Sequence, residues 1–197
     1  MRKWIGSICV FLGVVCILSA IGFVGYNRWE EKNAEEIAQD LLADVQNIIE
    51  EKTTVPDETE KIPTQMESVQ VDGYDCIGTL SIPVLNLELP VLTDWSYAKL
   101  KKAPCHYYGT YYEKDFVIAA HNYQSHFGRL SQLQAGDVVV FTDVSGKTHF
   151  YEVVLLETLP PQATREMITS GFDLSLYTCT PGGASRVTVR CNTVKSN

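Results

Sequence analysis

The chain has 197 residues, enough for one domain of ordinary size with accessory segments. Hydrophobic residues make up 45%, which supports a real core, and the formal net charge is −8. Basic residues cluster only at Arg2-Lys3 and in the short stretch 99–102, so nucleic acid is excluded as a partner, since neutralising phosphates needs clustered Lys and Arg.

Between positions 5 and 26 no residue is charged, and Ile, Val, Leu, Phe and Gly dominate. A helix needs about 20 such residues to cross a bilayer. Arg2 and Lys3 precede the run, while Arg28 is outweighed by Glu30, Glu31, Glu35 and Glu36. Positive-inside bias therefore predicts residues 1–4 in the cytoplasm, a single transmembrane anchor at 5–26, and everything later outside the cell membrane. A cleaved signal peptide would have an apolar region of roughly 7–15 residues ending in a small-residue site, and Ser19-Ala20 is a poor one. Cys9 and Cys16 fall inside the span. The remaining Cys76, Cys105, Cys179 and Cys191 are too few for a disulfide framework, although one bridge stays open. There is no C-x-x-C and no His/Cys cluster with zinc spacing, so neither metal nor cofactor is expected.

Residues 27–68 read as an amphipathic helix and a linker. Ile37, Leu41, Val45 and Ile48 recur at three- and four-residue steps, with Glu and Asp on the other face, over 28–52. The stretch 53–68, with Pro56, Pro63 and few apolar residues, has linker composition. From Val69 to the end at 197 the texture changes to short apolar runs split by turn residues. Strands are predicted at 77–83, 87–92, 116–120, 138–142, 148–156, 174–178 and 186–193, with a hairpin over 138–154 and short helices at 96–102 and 163–170. The expected domain is mostly β, a closed barrel or a sandwich.

Cys179 ends the apolar strand 174–178 and is followed by Thr180-Pro181-Gly182-Gly183, which leaves its thiol accessible. A thiolate nucleophile needs a nearby cation or base. Arg186, Thr188 and Arg190 share one face of the final strand, opposite Val187 and Val189. An Arg on a barrel face with no carboxylate in sight suggests an anionic task. Two solvated arginines and an inert core cysteine fit the same pattern. His121 ends the apolar strand 116–120 and opens a polar loop, a place where function concentrates. His126 competes as a loop-tip residue, His149 reads as a surface residue, and His106 reads as structural.

Several runs together resemble the sortase family. These are Ala103-Pro104-Cys105-His106-Tyr107-Tyr108-Gly109-Thr110, Phe116-Val117-Ile118-Ala119-Ala120-His121-Asn122, Phe127-Gly128-Arg129-Leu130, Gly136-Asp137, and Leu176-Tyr177-Thr178-Cys179 with Arg186 seven residues on. Ile77-Gly78-Thr79-Leu80-Ser81-Ile82-Pro83 resembles that family's first strand. The resemblance covers about 74–194 and implies a closed sortase-type β-barrel of seven to eight strands with short helices, preceded by a transmembrane helix and an amphipathic stalk helix. It implies Cys179 as nucleophile, His121 as acid and base, and Arg186 as oxyanion stabiliser. The implied substrates are surface proteins bearing a Leu-Pro-x-Thr-Gly-like C-terminal sorting signal, joined to an amine of a cell-wall precursor or of a pilin. Ala120 stands where the family often has Gly, no Asp-Pro-aromatic lid precedes the domain, and Thr178-Cys179-Thr180-Pro181 resembles pilin-polymerising and class D members. A class D-like member is expected. Two other classes fit the residues alone: a hydrolytic cysteine peptidase and a non-enzymatic tethered β-barrel binding module.

Overall fold

Every predicted strand forms, because each presents one apolar face to a common core. The structure, a computed structural model, describes residues 2–54 and 66–194. The strands are β1 (Val69–Val71), β2 (Tyr74–Ile82), β3 (Leu87–Leu92), β4 (Cys105–Tyr108), β5 (Phe116–Ala119), β6 (Val138–Asp143), β7 (Thr148–Leu159), β8 (Leu174–Cys179) and β9 (Arg186–Thr193). Eight of them close a barrel in the order β2-β3-β4-β5-β8-β9-β7-β6, sealed by antiparallel pairing of β2 with β6. β1 extends β2 as a hairpin. β3–β4 and β5–β8 pair in parallel, and the other ladders are antiparallel. β1 and β4 went unread in the sequence, since three- and four-residue strands are too short to show alternation.

The barrel interior is filled by Phe116, Ile118, Phe141, Leu174, Leu176, Val189 and their neighbours, all fully buried. Each such side chain contributes about 1.5–3 kcal/mol on burial. Closure depends on Gly78, which lies at a register shift in β2 opposite Asp143. Its φ is +151°, and a Cβ there would stand 2.1 Å from the Thr142 carbonyl oxygen. Only glycine lets the two backbones meet.

Helix α1 (Arg2–Thr54) covers the apolar run 5–26 and the amphipathic stretch 28–52. The chain divides into two units, 1–33 and 34–197. In the first, α1 holds a stretch long and apolar enough to cross a membrane, with none of it buried. In the second, Ala34, Ala38, Leu41, Leu42 and Val45 are buried, at the three- and four-residue spacing of one helix face. Leu41 and Val45 pack with Val71, Cys76, Leu92, Ala103 and Cys105. The expected linker at 53–68 lies, for 55–65, outside the described residues. The two expected short helices are α2 (Tyr97–Leu100), whose Ser96 cap accepts from Lys99 N at 3.1 Å, and α3 (Thr164–Ile168).

Candidate active site

Strand alternation decides which side chains leave the core. On β5, Phe116, Ile118 and the following Ala120 belong to the core, and His121 comes next, half-buried. On β8, Leu174 and Leu176 point in, so Ser175, Tyr177 and Cys179 point out. On β9, Val189 and Cys191 point in, leaving Arg186, Thr188 and Arg190 on the outer face.

Register then brings them level. Cys179 and Arg186 are direct antiparallel partners. The parallel β5–β8 ladder runs from Phe116 opposite Leu174 to Ala119 opposite Tyr177, and Ala120 N continues it by donating to Tyr177 O at 3.2 Å. β5 ends at Ala119, and His121 follows it two residues on, as Cys179 follows Tyr177 on β8. Thr178 Oγ1 fastens the two strand ends by donating to Ala120 O at 2.9 Å in a buried position.

A cleft of about 170 Å³ opens over Cys179 and Arg186. The strand order β4-β5-β8-β9-β7 places Tyr107 of β4, with Trp95 and Tyr97, on one flank. Pro160 and Pro161 after β7, with Ala163 and Met167, form the other. Tyr107 meets Tyr177 edge-on at 5.4 Å and Trp95 at 5.6 Å, so the first wall is a chain of aromatic rings. Cys179 is half-buried. Arg186 is half-buried and donates from Nη1 to Gly183 O at 3.1 Å and Ser185 O at 3.0 Å.

His121 opens a tightly wound loop. Phe127 N donates to His121 O, and His126 N and Gly128 N both donate to Tyr123 O. A Cβ on Gly128 would lie 2.6 Å from Asn122 O and 2.7 Å from Tyr123 O, so the winding requires glycine there. The Tyr123 ring stacks on His121 at 4.2 Å and 17°. Asn122 N donates to His121 Nδ1 at 3.1 Å.

The structure corrects three readings of individual residues. His126 is not at a loop tip: it is fully buried, its ring 5.4 Å from that of Tyr123. Burial and the neighbouring His121 push its pKa down to about 4. Among the described residues its ring nitrogens have no well-formed hydrogen bond, although the Ala34 backbone lies near enough to favour the charged form. His149 is not a surface residue: its side chain is 13% exposed, and Nε2 lies 3.2 Å from Asp143 Oδ2. Arg190 is neither solvated nor without a carboxylate, since Nε donates to Glu157 Oε1 at 2.8 Å. His106 is structural, with Nδ1 3.0 Å from Thr93 O and Nε2 2.8 Å from Gly109 O.

All six cysteines are free thiols. Cys76 and Cys105 both flank Leu92, two strand spacings or roughly 10 Å apart, which is beyond disulfide reach. Burial pushes Cys76 up to about 11 and Cys105 and Cys191 up to about 12. Among the described residues no group of three or more His, Cys, Asp or Glu could hold a metal ion. The roles of Tyr123, Thr178 and the cleft walls were not read in the sequence. Only the position of Thr178, directly before the cysteine, carried any signal.

Residues 80–194, more than half of the chain, match the family model described as the Sortase domain. Sortase C1 from Streptococcus suis is similar at 28% identity and a TM-score of 0.54, over 62% of this chain and 74% of that one. A sortase D5 transpeptidase from Clostridium perfringens is similar at 18% identity and a TM-score of 0.62, over 81% and 99%. Sortase C1 from Streptococcus agalactiae gives 22% and 0.58, over 81% and 90%. The comparison with curated proteins finds no significant match.

Proposed function

This chain belongs to the sortase family of cysteine transpeptidases, and we propose that it is a membrane-anchored member in which Cys179, His121 and Arg186 do the chemistry. The observation that carries this reading is that Cys179 and Arg186 are outward, direct cross-strand partners under one cleft, with His121 just past the end of the adjacent strand β5.

In the proposed reaction the Cys179 thiolate attacks the threonine carbonyl of a Leu-Pro-x-Thr-Gly-like sorting signal. Negative charge develops on that oxygen, and the Arg186 guanidinium stabilises it. His121 gives a proton to the departing glycine amine, which leaves a thioester on Cys179. His121 then takes a proton from the incoming amine, which attacks the thioester and expels the Cys179 thiolate, restoring the starting pair. The acceptor is an amine of a cell-wall precursor or of a pilin subunit. In the proposed topology residues 1–4 are cytoplasmic, 5–26 span the membrane, 27–68 are helix and linker, and 69–197 form the extracellular catalytic domain. Anchoring keeps the enzyme at the outer membrane face, where both substrates are presented.

A fluorogenic sorting-signal peptide tests this directly. Cleavage should require Cys179 and should accelerate on adding an amine, with a mixed product whose mass includes that amine. Cleavage indifferent to amine would instead mark a hydrolytic peptidase. No cleavage, with Cys179 slow to alkylate at neutral pH, would mark a binding module. Supplying a cell-wall stem-peptide amine and a pilin lysine in competition distinguishes the two acceptors.

A further inference from the structure

Arg190 lies on the outer face of β9 yet is only 1% exposed. Its guanidinium reaches three separate elements. Nε donates to Glu157 Oε1 on β7 at 2.8 Å, and Nη1 to Ser175 Oγ on β8 at 2.8 Å. Nη2 donates to Glu166 O at 2.8 Å, and Nη1 lies 3.4 Å from Met167 O, both on α3. The Phe172 ring sits 5.8 Å from the guanidinium carbon. A buried ion pair is weak evidence for stability, because apolar replacements of like volume often fold as well. The five donors are better explained by what they hold.

What they hold is α3. The last carbonyls of a helix have no partner within it, and Arg190 takes two of them. Ala163, Thr164 and Met167 of this segment line the cleft over Cys179. Among the described residues, the other hydrogen bonds of 160–169 stay inside the segment: Ala163 N to Pro160 O, Thr164 N to Gln162 O, Met167 N to Ala163 O, and Thr169 N and Oγ1 to Arg165 O. The next polar tie to the barrel comes at Ser170 and Gly171, through the Asp115 carboxylate.

We propose that Arg190 is a positioning residue that fixes α3 as one wall of the cleft and so sets how tightly the donor peptide is held, without touching the reacting atoms. The proposal rests on the reading of this cleft as the sorting-signal site. It separates two arginines of one strand face: Arg186 is opposite the nucleophile, and Arg190 is opposite Ser175, four residues back. A lysine could make one of these contacts but not the planar fork that joins three elements.

The test compares Arg190→Met and Arg190→Lys with the full-length wild type, by steady-state kinetics on the peptide and by amide hydrogen exchange. Arg190→Met should raise KM about tenfold with kcat within about threefold, the pattern of lost uniform binding. Arg190→Lys should recover part of that loss. Amides of 163–172 should exchange faster in both variants, while those of 121–128 keep their wild-type rates. Unchanged KM with unchanged exchange overturns the proposal. So does a fall in kcat at constant KM, which would place Arg190 in the chemistry. If Arg190→Met does not fold, Glu157→Gln weakens the same anchor from a 31% exposed side chain and should shift KM and exchange in the same direction. Should the wild type cleave no sorting-signal peptide, the proposed function fails, and the exchange measurement alone still decides whether Arg190 holds the wall.

Discussion

Replacing Arg186 with alanine should cost about 10²–10³ in kcat/KM, carried mostly by kcat. Cys179 and Arg186 are cross-strand partners, so their Cα atoms stand about 4.5–5.5 Å apart. A carbonyl under attack by Cys179 therefore forms its oxyanion within reach of the guanidinium. A unit positive charge about 4 Å from that oxygen, at an effective dielectric near 20, is worth about 4 kcal/mol. The cleft is open and Arg186 only half-buried, which lowers the figure toward about 2.7 kcal/mol, the low end for one oxyanion donor. The alanine variant also frees Gly183 O and Ser185 O. Arg186→Lys serves as the control, keeping the charge without the fork, and should fall between wild type and alanine. Initial rates on the fluorogenic peptide, with burst amplitudes to count acylated enzyme, measure all three. A loss within about threefold for Arg186→Ala would refute the assignment, as would a larger kcat loss at Arg190.

Cys179→Ala should abolish transpeptidation with the fold intact by circular dichroism, and retained activity would overturn the assignment of the nucleophile. In the wild type, iodoacetamide at neutral pH should label Cys179 well before Cys76, Cys105 or Cys191, whose thiols burial holds at about 11, 12 and 12; peptide mass mapping reads the order. His121→Ala should lose most activity, Tyr123→Phe should keep it, and Tyr123→Ala should lower kcat through a disordered imidazole, with a shifted pH–rate profile as the sign of positioning. His126 is held neutral in the fold at about 4, against about 6.5 in the unfolded chain. Its folded pKa is the depressed one, so the associated stability is full above about pH 6.5 and is lost as pH falls toward 4, by up to roughly 3 kcal/mol. Thermal melts across that window should show the loss, and His126→Leu should flatten it; an unchanged pH slope in the variant would sink the account.

Alternation in 186–190 was enough to put Arg186 and Arg190 on one face, because a strand's side-chain period is fixed by backbone geometry, and the strand-end position of Cys179 before a glycine-rich loop pointed to an accessible thiol. It could not tell Arg186 from Arg190. That difference arises from register with β8 and from Glu157 and α3, which are distant in sequence. His126 misled for a related reason. A polar residue in a polar loop reads as exposed, yet Phe127 N and Gly128 N fold the loop back and carry the imidazole under Tyr123. The cleft was illegible because its walls come from 95–107 and 160–167, flanks defined only once β4 and β7 take their places in the barrel. β4 itself has four residues and no alternation to announce it.

The staple from Thr178 Oγ1 to Ala120 O joins residues 58 positions apart. Those two positions sit immediately before Cys179 and His121. Parallel pairing of β5 with β8 is a long-range contact, slow to form because the intervening loop must close before any bond repays it. Until it forms, the proposed nucleophile and the proposed base are not held together. On the proposed mechanism a chain still folding is then inert toward passing carbonyls, and competence arrives together with the barrel. Variants that slow this closure should delay the appearance of activity after refolding without changing the final rate per folded molecule.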